Sequence, residues 1–554
     1  MANFFEKVKL DSYFVVMILI AISLPFSKFT LSVFQLLLII IWIGDDVMFS
    51  PIKRFFRQAN IFRAIWLSTR YVFLQLIETF VKKIRFFLSN RVALILASLF
   101  FLHIVGLITT SDFDYAWKDL RIKLPLLVLP LVMSSMRKFT LGETKTLLGF
   151  FVASVFTGTL ISFVHYLQKD FNDIRDISIY ISSVRFSLMV VFSFFLVLNQ
   201  VITGFRQKHI FGALFMLIAV WLLAYLVILE SVIGLLSVVI IGTVLLVRLV
   251  LKIGSKKWRV ALFVITLGLP LTLFLYLNDI VKELTYRHPI DIEKLDKFSR
   301  LGNEYRHDTI NFGVEDGKYV GIYFAESEMA EAWNERSSYD FYGKDDAGQL
   351  IMYTIIRYLT SADLRKDADG VSQLTAEDIR YIEKGIANKR YVENPSLRNR
   401  ISKIIVGYQQ FTDLNDPNGS SIMQRVEHLK ASKILIKQYF LFGVGTGDLP
   451  EAFRSTYNTM NSPLREEVRW RSHNQYLSIL IAFGVFGWLW FIIVLVYPAL
   501  YSKKILYTEF LIFWLLMLLS MLSEDTIETQ IGVTLFAFFF SFLLITANRN
   551  LHSK

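Results

Sequence analysis

The chain has 554 residues, 54% of them hydrophobic, with 50 phenylalanines and only 19% charged residues; its mean hydropathy is +0.48, which excludes an ordinary soluble protein and describes a polytopic membrane protein. The net charge of +12 is no nucleic-acid signal, because the excess sits in short loops where anionic lipid headgroups attract Lys and Arg. Cysteine is absent, so neither a disulfide nor a thiolate metal site can hold an extramembrane part together.

Apolar runs of near-spanning length lie at 13–27, 29–44, 92–110, 122–136, 146–167, 186–203, 210–229, 231–251, 258–278, 475–500, 505–523 and 530–547, about twelve spans in all. The first lacks a small-residue cleavage site and reads as a signal anchor. The fourth is short and interrupted by Pro125 and Pro130, so neighbouring helices must satisfy the freed carbonyls. Between the second and third runs, residues 51–91 mix Phe55, Phe62, Trp66, Phe73 and Phe80 with Arg54, Arg57, Arg63, Arg70, Lys82 and Lys83, a pattern that predicts helices lying in the membrane interface.

Lys7, Lys9, the basic stretch 53–91, Arg137, Lys138, Lys145, Arg206, Lys208, the stretch 248–259, Lys503, Lys504 and Arg549 fall on one side of the alternating spans. The positive-inside rule makes that side cytoplasmic, with both termini inside and residues 280–473 outside. The sequence thus predicts an all-α polytopic membrane protein with a large, mainly helical outer loop domain. Its parts are an N-terminal bundle at 1–279, the loop domain at 280–473 and C-terminal membrane helices at 474–554.

Helix punctuation shows that the loop is folded. Thr375-Ala376-Glu377-Asp378 suits a capping box for a helix stopping at Gly385, and Asp448-Leu449-Pro450-Glu451 suits another. Residues 421–439 form a helical pattern with Met423, Val426, Leu429, Ile434 and Ile436 apolar, ending in the turn Gly443-Val444-Gly445-Thr446-Gly447. That turn could cradle phosphate, but it lacks the Lys-Ser/Thr end of a nucleotide loop and reads better as a connector. Asp112-Phe113-Asp114 is a metal candidate set against a plain acidic loop. Asp367-Ala368-Asp369 reads as a solvated turn, because Arg365 and Ala376 stand where calcium ligands belong.

Three side chains carry more chemistry. Arg185 opens a span from the outer side, and Arg425 lies on the predicted outer helix; a guanidinium at either place suits bidentate phosphate binding, against readings as a snorkelling and an ordinary surface residue. His473 ends the polar loop in the first turn or at the N-cap of the span that follows. There the helix dipole favours a neutral imidazole that can act as a base, and the alternative is a ring that only bonds backbone.

The run Arg471-Ser472-His473-Asn474-Gln475-Tyr476-Leu477 with Gly484-Val485-Phe486-Gly487-Trp488, preceded by Arg425 and the Gly443–Gly447 turn, resembles the His-Asn-x-Tyr-Leu segment and its surroundings in the O-antigen ligase and polymerase superfamily. Segment 286–415 carries no motif of that family. The resemblance implies an inverting, metal-independent glycosyltransferase of the GT-C kind, without a cofactor, in the bacterial inner membrane and acting on the periplasmic face. The implied donor is a glycan on undecaprenyl pyrophosphate and the implied acceptor, for a ligase, a lipid A-core sugar hydroxyl; membrane lipids are partners and nucleic acid is not. His473 then corresponds to the family's essential His, Arg185 and Arg425 to the Arg pair that holds the leaving pyrophosphate, and Arg471, Asn474 and Tyr476 to supporting positions. Ligase is the favoured branch, with a polymerase or a protein O-oligosaccharyltransferase as alternatives. Acceptor choice is expected partly in the unmapped outer segment. A secondary transporter is the alternative of a different class, although repeated halves with broken midplane helices are not evident in the sequence.

Overall fold

The computed structural model describes residues 11–44, 60–169, 174–206, 212–286, 289–393 and 397–547. The described residues are mostly helical, at 74%. Among the described residues six helices are long and apolar enough to cross a membrane: Arg91–Thr109, Leu141–Gln168, Ser183–Ile202, Val232–Lys252, Arg259–Thr285 and Gln475–Tyr501. Five shorter apolar helices, Ser12–Ser23, Lys28–Gly44, Gly212–Ile228, Thr508–Ser523 and Gln530–Thr546, pack into the same bundle around one continuous core.

The expected fourth run is the short helix Pro125–Ser135, roughly 16 Å long at 1.5 Å per residue, which on its own does not cover a bilayer core. Pro125 stands at its first turn, where the missing N–H would be unbonded anyway. Among the described residues, the basic, aromatic stretch expected as interfacial helices holds one helix, Ile61–Ser89, capped by Asn60. Phe62, Trp66, Phe73 and Phe80 are exposed along it. Lys83 is buried and donates to the carbonyl of Trp42. Phe55, Arg54, Arg57, Lys7, Lys9, Lys53, Lys208 and Arg549 lie outside the described residues.

The outer segment has its own core, built on Trp333, Phe341, Ile355, Tyr358 and Leu359, apart from the core of the bundle. It is not wholly helical: Arg306–Asp308 pairs with Gly321–Phe324, and Val314–Glu315 with Lys318–Tyr319, as two antiparallel ladders. The Thr375–Asp378 capping box forms as expected, and Gly385 follows in the left-handed region at φ +84°. Asp367 corrects its expected solvated turn: it is buried, caps Ala368–Ser372 and accepts from Tyr305. Asp448 corrects the second expected box. Its side chain makes no cap for Leu449–Thr459 and accepts instead from the Ser111 and Asp112 amides, while Asp112 caps Phe113–Lys123.

The Gly443–Gly447 turn occupies a break in a transmembrane helix. Gln475–Tyr501 is interrupted at Gly484, whose φ and ψ are 63° and −171°, and an apolar bilayer leaves no water for backbone groups freed there. The turn supplies partners: Val444 N–H donates to Ile481 O and Gly445 N–H to Ala482 O, both at 2.9 Å, while Val485 N–H donates to Phe440 O at 2.8 Å. Thr446 N–H bonds Gly106 O and Gly447 N–H bonds Thr110. These amides are therefore spent on backbone and side-chain partners, which removes the phosphate-cradle reading and leaves the connector. A Cβ on Gly443 would stand 2.3 Å from Ala482 O, and one on Gly484 2.1 Å from Leu441 O.

Gly484→Ala should lower the thermal stability of the purified protein by several degrees, about 2 kcal/mol or more from strain and the clash together. Gly149→Ala, whose Cβ would meet nothing within 4 Å, should leave it unchanged in the same detergent melt; equal melting of both variants would show that the break is not a structural requirement.

Candidate active site

Arg185 is on Ser183–Arg206 and Arg425 on Ser421–Gln438. His473 ends the loop ahead of Gln475–Tyr501, and Glu524 and Asp525 follow the end of Thr508–Ser523. These elements converge on one point. The guanidinium of Arg425 is 2.8 Å from Glu524, whose other carboxylate oxygen is 4.0 Å from His473 Nδ1. That distance is too long for a direct hydrogen bond and short enough for strong electrostatic coupling. Arg185 acts on Glu524, Asp525 and His473 through its charge, and its Nε is buried with no hydrogen-bond partner.

His473 is one residue outside the position expected for it. Asn474 is the N-cap, its side chain accepting from Leu477 N–H at 3.1 Å, and His473 precedes it with φ +48°. A non-glycine residue in that region costs of order 1–3 kcal/mol. Buried Ser472 imposes it, bonding both the carbonyl and the N–H of Asn474. Tyr476 donates to Leu518 O at 3.1 Å and the Asn474 amide to Leu522 O at 3.0 Å, so both tie this helix to its neighbour.

Arg471 reaches away from the cluster into a buried charge network. It lies 2.5 Å from Glu528 and donates to Tyr115. Glu528 also takes Lys123 at 2.8 Å and Gln475 at 2.9 Å, and Lys123 takes Asp119 at 2.7 Å. Burial alone would push the Glu528 carboxyl up, but Lys123 and Arg471 outweigh it and hold it below its ordinary value. Opposite charges with several hydrogen bonds each are what a dry site demands, and this clamp fixes the segment that carries His473.

Sequence reasoning missed His428, Glu524 and Asp525. The helix Ser421–Gln438 buries only part of the apolar stripe expected of it: Met423 is buried but Leu429 and Ile434 are exposed, while Glu427 and His428 are buried. The imidazole of His428 lies 5.2 Å from that of His473. Its Nε2 is 3.0 Å from Val468 O and must carry the hydrogen, which leaves Nδ1 bare. The signal for the two acids was an acidic pair directly after an apolar run, where charges are costly. Asp525, pushed up to about 6 by burial against the pull of Ser478, accepts from that serine at 2.6 Å.

Burial, then His428, Arg425 and Arg185, lower the pKa of His473 to about 4, so the ring is neutral near pH 7. An unfolded His binds a proton near pH 6.5; between there and pH 4 the unfolded chain holds more protons at this position and stability falls with falling pH. Wild type should therefore lose more stability than His473→Gln when acidified from pH 7 to pH 4.5 in a detergent melt. Parallel losses would contradict the lowered pKa.

A comparison with curated proteins found no match. Residues 390–492, which include Arg425, the glycine turn and His473 but not Arg185 or Glu524, match the family model described as O-antigen ligase. That match, to part of the chain, supports the O-antigen ligase superfamily.

Proposed function

We propose that the protein is an O-antigen ligase that transfers a glycan from undecaprenyl pyrophosphate to a sugar hydroxyl of lipid A-core at the periplasmic face of the bacterial inner membrane, with both termini in the cytoplasm, about twelve spans and residues 280–473 in the periplasm. The observation that carries this reading is the convergence of Arg185, Arg425 and neutral His473 on the Glu524 carboxylate.

Each group has a task. The hydroxyl oxygen of the acceptor attacks the anomeric carbon while the bond from that carbon to the pyrophosphate oxygen breaks, and configuration inverts. The hydroxyl proton passes to His473, whose imidazole is free to accept it. The negative charge growing on the pyrophosphate meets Arg185 and Arg425, which stabilise it most where charge develops. Glu524 accepts from Arg425. Donor binding exchanges that carboxylate for phosphate and releases Glu524 toward His473, where it steadies the imidazolium as the third member of a hydroxyl-activating set.

Membranes from a host lacking the protein should accumulate lipid-linked glycan and lose every glycan-capped lipopolysaccharide band. Wild type should restore the bands. His473→Ala and Arg425→Ala, at equal membrane levels, should fall short by about 10²-fold or more in transfer rate. Core bearing a single repeat would mark a polymerase, and an unchanged pattern would exclude lipopolysaccharide as the acceptor. The profile of kcat/KM against pH should also show an acid limb near pH 4, because that quantity reports the free enzyme and the His473 pKa there is lowered to about 4. A limb at the ordinary imidazole value would remove His473 as the base.

A further inference from the structure

Resting on the transferase reading, we propose that the cleft between the outer domain and the membrane bundle is a binding site for an anionic glycan. The cleft has a volume of about 1550 Å³, above the roughly 300–1,000 Å³ that encloses a drug-sized ligand, and it has room for several sugar rings. Tyr166 and Arg175 line it from the bundle, and Tyr353, Tyr391, Lys403 and Arg465 from the outer domain. Much of this wall comes from residues 309–387, within the segment without a family motif and ahead of the family match.

The chemistry of the wall is that of acidic sugars. Tyrosine faces accept the apolar C–H side of a pyranose, and their quadrupole favours the positively polarised hydrogens there. Basic side chains on the wall outnumber acidic ones. Among them Arg357 is matched by Glu315 at 2.7 Å, while the Lys403 ammonium lies 4.7 Å over the Tyr391 ring and Arg465 is exposed. A wall with stacking faces and surplus cations selects a carboxylated or phosphorylated saccharide over a neutral one.

The cleft also leads to the candidate active site. Ser420 and Ser421 belong to its lining and begin the helix that carries Arg425 one turn later. Arg175, on the opposite wall, acts by its charge on Glu524, the partner of Arg425. A glycan lying in the cleft therefore comes within about one helical turn of Arg425. The same chemistry fits the glycan of the donor and the saccharide of the acceptor, and kinetics separates them.

The test uses full-length protein in nanodiscs with three probes: unsulfated hyaluronan hexasaccharide, neutral maltohexaose and undecaprenyl pyrophosphate. The hyaluronan fragment should bind more tightly than maltohexaose and weaken with salt. Lys403→Glu with Arg465→Glu should weaken it about tenfold. Binding of undecaprenyl pyrophosphate should stay unchanged, which also certifies the fold, and Arg454→Glu, an exposed control, should change nothing. A rise in the KM of the acceptor alone would assign the cleft to the acceptor, and of the donor alone to the donor glycan. Equal binding of the two hexasaccharides, or a double variant that binds hyaluronan as well as wild type, overturns the proposal while leaving the ligase reading intact; failure of wild type to bind undecaprenyl pyrophosphate strikes the ligase reading instead.

Discussion

The arrangement depends on one constraint of the bilayer: a backbone carbonyl freed inside it must find a donor in the protein. The helix Gln475–Tyr501 frees such groups at Gly484, and the Gly443–Gly447 turn supplies the amides. Because that turn follows the helix carrying Arg425, and the broken helix begins just after His473, satisfying the break fixes the distance between the two side chains. Glycine is needed on both sides, since backbones meet there at distances that leave no room for a Cβ. The glycines thus act on chemistry through packing, without touching phosphate.

Electrostatics builds a second layer on that frame. Two clusters of charge lie side by side, and they behave differently. In one, Glu528 is surrounded by Lys123, Arg471 and Gln475, with every strong group matched, so it serves as a fixed anchor. In the other, burial raises Glu524 against the pull of Arg425 and Arg185, and the nearby His473 and His428 are both lowered, first by burial. The matched cluster suits holding a segment in place; the unmatched one suits a ligand that brings its own negative charge.

Much of this was legible in the sequence, and the reason is local. Arg185 and His473 stood out because each is a charged or titratable group at the edge of an apolar run, Arg425 because it sits on a helical pattern ahead of the glycine turn, and the structure brings the three into one electrostatic cluster. The capping box at Thr375 needed only residues three apart. What escaped was nonlocal: Asp448 resembles a cap but is claimed by amides more than 330 positions away in the chain, and His428 faces inward because His473 and Val468 are there. The acids of the loop 523–530 escaped for the same reason. Nothing in it declares that Glu524 meets Arg425 while Glu528 meets Lys123.

The left-handed backbone of His473 has a consequence for timing. A glycine would adopt that conformation with less strain, so the histidine lowers the stability of the folded protein for as long as it stays folded. In return the ring is aimed before any substrate arrives. Orientation is settled once, when the chain folds, and the reorganisation that would otherwise recur in each catalytic cycle is removed from the barrier.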